Sequence, residues 1–252
     1  MRSVAVRRTV AAVRPSDWAE STRSPAVFFL SDMLNKKLHL PKPGEALPGR
    51  ARPVRTATRH RVFRRPLKGP YPDGMETALF AMGSFWSAEP IFWDMPGVWV
   101  TAAGYAGGST PNPTYQEVCT GLTGHAETVR VVFDPGMVSY VALLKTFWEN
   151  HDPTQGMRQG SDIGTIYRSA IFAASEGQQA QALAARDAYQ AALDEAGLGR
   201  IGTEIRPATE FYFAEVQHQQ YLARNPGNHR ELRGTGVPCP TFGQAQATPS
   251  AR

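Results

Sequence analysis

Long apolar runs are absent from this sequence, cysteine is scarce, and acid is scarce over its first quarter. No stretch approaches the roughly 18 consecutive apolar residues of a membrane span, so nothing reads as transmembrane. Cys119 and Cys239 are the only cysteines in 252 residues. That excludes a disulfide framework, and the lack of any Cys-x-x-Cys pair removes a familiar zinc spacing. No metal and no cofactor are expected. The front of the chain lacks the apolar stretch and small-residue cleavage site of a secretory signal. The reading is a soluble, cytoplasmic, monomeric protein.

Charge is unevenly spread. Residues 1–68 carry 16 Lys and Arg against 4 Asp and Glu, a net +12. Residues 69–252 carry 11 against 18, a net −7. This asymmetry separates a basic extension from a mildly acidic body. The extension admits nucleic-acid contact, a targeting segment or a solvated tail, and the tail is the reading adopted. It lacks the aromatic interleaving that base stacking would need, so nucleic acid is not an expected partner. Met33 opens a second candidate start, which would leave residues 1–32 untranslated.

The body is legible as alternating elements. Residues 41–74 are rich in Pro, Arg and Gly and read as irregular. "METALFAM", residues 75–82, reads as a buried strand, "PIFWDM" as a helix, and "VWVTAAGYAGG" as a strand entering a glycine loop. "ETVRVVFD", residues 127–134, alternates as a strand should. Tyr140, Leu143, Leu144, Phe147 and Trp148 fall on one helical stripe. "YRSAIFAA" is a further strand. Ser175 and Gln178 read as a capping box, and Gly197 as the residue after the helix that follows. "TEIRPATEFYFAE" reads as strand and "VQHQQYLARNP" as a short last helix. The order from 75 to 173 predicts an α+β fold. It is a two-layer sandwich on a ferredoxin-like βαββαβ core, with irregular N- and C-terminal extensions. The division expected is 1–74 extension, 75–240 domain and 241–252 tail.

The chemistry centres on "FAMGSFWSAEPIFW", residues 80–93, where a strand turns directly into a helix. Free N–H groups and the helix dipole at such a junction favour negative charge and would depress the pKa of a thiol. Ser84 occupies it instead. An alcohol needs an adjacent base, and the Gly-x-Ser-x-Gly elbow is missing, so Ser84 also reads as a plain N-cap. Three polar loops each present an acid or a phenol beside a strand: Tyr115, Glu127, and Asp162 with Tyr167. Each has a plainer reading as loop packing, edge charge, turn-former or core edge.

At these residues the chain resembles the A-type peptide-methionine (S)-S-oxide reductases. The motifs are "FAMGSFW", "GYAGGSTPNPTYQEVCTGLTGHAE", "FDP", "FWENHDPTQGMRQGSDIGTIYRSAIF" and "HQQYLARNP", in that order, from about residue 45 to 240. The resemblance implies reduction of protein-bound methionine-S-sulfoxide in protein repair, with thioredoxin as reductant, and a substrate that is oxidised methionine in proteins or free methionine sulfoxide. It implies an α+β fold on a ferredoxin-like core. It makes Ser84 the position of the family's nucleophilic cysteine, and makes Phe85 and Trp86 the wall holding the substrate methyl. It makes Glu127 the acid that protonates the sulfoxide oxygen, with Tyr115, Tyr167 and Asp162 around that oxygen. A recycling cysteine expected after "NP" is missing, and Cys239 matches only the more distal one. Cys119 reads as an inert thiol. Four readings stand: a reductase lacking its nucleophile, a methionine sulfoxide binding module, a serine hydrolase using Ser84, and nucleic-acid binding through residues 1–68.

Overall fold

In the computed structural model, residues 37–42, 44–228 and 232–242 are described. Strand β1 (Glu76–Met82) runs through the middle of a six-stranded sheet. Its side chains alternate as period two requires: Ala78, Phe80 and Met82 enter one apolar cluster, and Leu79 and Ala81 another. Helix α1 (Phe85–Trp93) follows, then β2 (Val98–Ala106), the short helix α2 (Tyr115–Cys119) and β3 (Ala126–Phe133). Helix α3 (Tyr140–Glu149) leads through the two-residue strands β4 (Arg158–Gln159) and β5 (Asp162–Ile163) to β6 (Ser169–Ala173). Helix α4 (Glu176–Glu195), β7 (Glu204–Pro207), β8 (Tyr212–Phe213) and a single turn, α5 (Tyr221–Arg224), complete the order.

The sheet order is β7-β6-β1-β3-β2-β8. Its four central strands are antiparallel neighbours, β6 to β1, β1 to β3 and β3 to β2, which is the ferredoxin-like arrangement expected. One face carries the large cluster with α1, α3 and α4. The predicted stripe Tyr140, Leu143, Leu144, Phe147 and Trp148 is buried there in full. Helix α4 starts at Ser175, whose hydroxyl accepts the Gln178 N–H. The reciprocal half of the box is displaced by one residue: the Gln178 carbonyl accepts from the Ala174 N–H, and its amide donates to Thr77 O. At the other end Gly197, φ +71°, closes α4, with Leu198 N–H on Leu193 O.

Three expectations need correction. The first helix begins at Phe85, not at Pro90; the helix runs through Pro90, whose ring lacks the N–H for the Trp86 carbonyl. The run 203–215 is two strands, not one. β7 lies parallel beside β6 at one sheet edge, and β8 lies on β2 at the other. Between them Ala208 and Phe211 cover the second apolar cluster. Lastly, the basic segment from residue 47 to 68 has little regular structure but is no solvated tail. Leu67 is fully buried, Thr56 Oγ donates to Ala214 O, and Arg50 forms a bidentate pair with Glu117 on α2. Its arginines largely face outward while its backbone and its few apolar side chains dock.

All described residues belong to the unit Asn35–Arg252. The unit Met1–Leu34, and with it the alternatives of targeting segment and second start, lies outside the described residues, as do residues 243–252 of the tail. Among the described residues no helix is long and apolar enough to cross a membrane.

Candidate active site at the first strand–helix junction

Gly83 makes the turn possible. Its φ is +96°, and a Cβ there would stand 2.7 Å from Gln159 Cγ and 2.9 Å from Leu232 Cδ2. Ser84 follows as the residue before α1. Its carbonyl accepts from Ser87 and Ala88, but its hydroxyl caps nothing, so its role is not that of a side-chain N-cap. It opens instead into a cavity of about 430 Å³ lined by Trp86, Tyr115, Asp162, Tyr167 and Tyr221 among others.

Glu127 lies beneath. It is 2% exposed and comes from β3, directly across from Tyr105 on β2. Its Oε2 accepts the Phe85 N–H at 2.9 Å, one of the free donors at the start of α1. Burial first, and the nearby Asp162 charge after it, push Glu127 up to about 8, against the pull of the Phe85 bond. At neutral pH this acid therefore holds its proton and can donate it.

Aromatic rings form the walls. Trp86 stacks on Tyr221 with centroids 4.2 Å apart and lies 5.9 Å from Tyr115. Phe85 sits fully buried behind them, 6.4 Å from Tyr115. Tyr115 is set by the capping box of α2, in which Thr114 and Glu117 bond reciprocally, and its own N–H donates to Glu215 Oε1 at 2.8 Å. Tyr167 closes a 3-10 turn just before β6, and Asp162 stands on the β4–β5 hairpin. Burial and then the Glu127 charge raise both phenols, so both remain protonated donors. The sites predicted at Ser84, Trp86, Tyr115, Asp162 and Tyr167 thus line one cavity, with Phe85 and Glu127 immediately behind it.

Cys239 is not brought to it. It is 4% exposed within the main core, its N–H donates to Glu149 Oε1, and burial with the Glu149 charge pushes its thiol up to about 12. Cys119 is half-buried at the end of α2 and lines a smaller neighbouring cavity of about 180 Å³ that shares Tyr167. Burial raises its thiol as well. Among the described residues no group of three or more His, Cys, Asp and Glu is arranged to hold a metal.

Sequence reasoning gave no roles to "HQQY", residues 218–221. Here those four consecutive residues dock on three: Trp86, which lines the cavity, and Ala103 and Glu89 behind it. His218 Nδ1 accepts from Trp86 Nε1–H. Gln219 exchanges hydrogen bonds with both backbone groups of Ala103. Gln220 bonds Glu89, and Tyr221 covers Trp86. The available signal was a run of polar residues beside a tyrosine, with nothing apolar to explain a helix there.

The comparisons agree with this geometry. The family described as peptide methionine sulfoxide reductase matches residues 76–237. "Peptide methionine sulfoxide reductase MsrA 1" of Caulobacter vibrioides is 63% identical over 207 residues, covering 82% of this chain and 95% of that protein. "Peptide methionine sulfoxide reductase MsrA" of Agrobacterium fabrum is 61% identical, covering 84% and 98%. The solved methionine sulfoxide reductase A of Corynebacterium diphtheriae superposes with a TM-score of 0.72 at 46% identity, over 80% of this chain and 98% of that one. With most of its length matched in sequence and in fold, the chain belongs to the peptide methionine sulfoxide reductase family.

Proposed function

We propose that the cavity at Ser84 binds the methyl sulfoxide of oxidised methionine in the S configuration, and that Ser84 stands where this family's reaction needs a thiolate. The observation that carries the reading is Glu127: a buried acid with its pKa pushed up by burial, oriented by the Phe85 N–H, beneath a cavity walled by Trp86 and three phenols. A thioether methyl suits ring faces and edges. The oxygen suits Glu127, Tyr115 and Tyr167 as donors.

The family's reaction transfers oxygen from sulfur to sulfur. A thiol and a sulfoxide become a sulfenic acid and a thioether, with the acid's proton carried on the transferred oxygen. A second thiol then displaces water to give a disulfide, which thioredoxin reduces by exchange. The same transfer to Ser84 would join two oxygens in a hydroperoxide, so the cycle has no first step with an alcohol. The chain as it stands recognises the sulfoxide without turning it over, and position 84 is what separates it from a reductase drawing on thioredoxin. Cys239, buried with a raised thiol pKa, is no substitute in this conformation.

Among the described residues no histidine is hydrogen-bonded to Ser84 to serve the hydrolase reading as a base. His60, His125, His151 and His218 each have both ring nitrogens turned to partners other than Ser84. Calorimetric titration with three otherwise identical peptides tests the proposal: methionine-S-sulfoxide, methionine-R-sulfoxide and methionine. Binding of the S-sulfoxide peptide alone supports it, and equal or absent binding of all three refutes it.

A further inference from the structure

Helix α1 carries a second buried acid, Glu89, one turn beyond Trp86 and on the same side of the helix. It is fully buried and meets three neutral donors. Oε2 accepts the Gln220 N–H at 2.8 Å; Oε1 accepts the Gln220 amide at 2.7 Å and the Thr101 hydroxyl at 2.9 Å. Gln220 in turn accepts the Arg61 N–H at 2.9 Å through its side-chain oxygen. Its backbone is left-handed, φ +48° and ψ 51°, a conformation that a non-glycine residue keeps only when its surroundings hold it. Both the main chain and the side chain of this residue are tied to Glu89. The next residue is Tyr221, whose ring lies 4.2 Å from that of Trp86.

The chain of bonds has a direction. His60 Nδ1 accepts the Val62 and Phe63 N–H groups, so the ring proton sits on Nε2 and points at Thr101 Oγ, 3.0 Å away. The Thr101 proton is then free for Glu89. His60, Thr101, Glu89 and Gln220 are each 0% exposed. His60 lies ahead of residues 76–237, the span of the family match. A buried relay therefore runs from the basic segment, across β2, to the turn that places Tyr221.

We propose that Glu89 is a positioning residue for the sulfoxide pocket. It holds the Trp86–Tyr221 wall through Gln220, and is itself held by Thr101 and, behind it, His60. The ligand part of this inference rests on the cavity reading above; the positioning part does not. Glu89→Gln keeps the volume but sets an N–H₂ against donors, and so breaks at least one bond.

The test uses the full chain with ¹⁵N-labelled indoles, read beside calorimetry with the methionine-S-sulfoxide peptide. In Glu89→Gln the Trp86 indole signal is expected to shift or broaden while that of Trp148, in the core, stays. Peptide affinity is expected to fall about tenfold. Thr101→Val, which removes the hydroxyl's bond to Glu89 and with it the link to His60 but leaves both Gln220 bonds, is expected to lower affinity about threefold, and it carries the test if Glu89→Gln does not fold. Gln178→Ala loses buried hydrogen bonds at α4, away from the cavity, and is expected to move neither readout. An unmoved Trp86 signal in Glu89→Gln, or unchanged affinity in a protein that binds the peptide, overturns the proposal. A moved signal in a protein that binds no sulfoxide leaves the positioning intact and overturns the cavity's ligand instead.

Discussion

Glu127 and Cys239 are both nearly sealed from water, 2% and 4% exposed, and burial pushes both upward in pKa. One stands at the strand–helix junction, with its carboxyl on a helix N–H and a cavity above it. The other stands in the C-terminal segment, packed into the main core against Glu149. The same physical force has opposite chemical meaning in the two places. Desolvation turns a carboxylate into a proton donor near neutral pH, which a sulfoxide oxygen can use. Applied to a thiol it suppresses the nucleophile. On the proposed reading the junction lacks only the sulfur, and the Cys239 thiol is packed into the core instead of lining the cavity.

Changes at the junction should dominate, and changes at the C-terminal segment should hardly register. The largest effect is expected from Glu127→Gln made in a Ser84→Cys background. Turnover of a methionine-S-sulfoxide peptide should drop by roughly 10²- to 10⁴-fold, the scale of a general acid, with peptide affinity much less altered. Steady-state kinetics with dithiothreitol would show it, and a loss confined to KM would assign Glu127 to binding alone. Next comes Trp86→Ala, which strips the methyl's wall. Removing a stacked aromatic surface of this kind should weaken peptide binding by about 1.5–3 kcal/mol in a calorimetric titration. Wild-type affinity there would mean that the methyl sits elsewhere.

The pH dependence of stability is a subtler consequence. Glu89 and Glu127 rise from 4.5 to about 7 and about 8, so the folded state binds more protons than the unfolded state across that interval, and stability falls as pH rises through it. His60 and His151 fall from 6.5 to about 4, so their contribution runs the other way, stability rising with pH until 6.5. Above 6.5 only the two acids remain, and thermal midpoints should decline between pH 6.5 and 8. Glu127→Gln should flatten the upper part of that decline; an equally steep fall in this variant would contradict the burial account. The smallest effect belongs to Cys239→Ala, which should leave turnover in the Ser84→Cys background within about twofold while costing some core packing. A collapse of turnover would give Cys239 a redox role after all.

Much of this could be read from residues. β1 announced itself as a short apolar run, β3 and α3 because period two and period 3.6 held over their length, and α4 because Ser175 and Gly197 marked both ends. The cavity-lining residues were legible one loop at a time, since each loop ended on a single acid or phenol at a strand. What escaped reading depended on contacts distant in sequence. Pro90 hid the true start of α1. The break between β7 and β8 shows only once the two sheet edges they pair with are known. The basic segment looked solvated because most of its charges point outward, while its docking rests on a few side chains, among them Arg50, Thr56, His60, Arg65 and Leu67. Glu89 and "HQQY" look like surface residues by composition and become interpretable only when each is seen to satisfy the other.

The account turns on a single atom at position 84, and the most direct test is reduction of a methionine-S-sulfoxide peptide with dithiothreitol, the protein as it stands beside Ser84→Cys. Dithiothreitol reduces a sulfenic acid directly, so no recycling cysteine is required. The prediction is no turnover by the serine form and a gain of roughly 10³-fold or more over background in Ser84→Cys, the scale on which enzymes depend on a nucleophile. Equal turnover by both forms, or none by either, would contradict it.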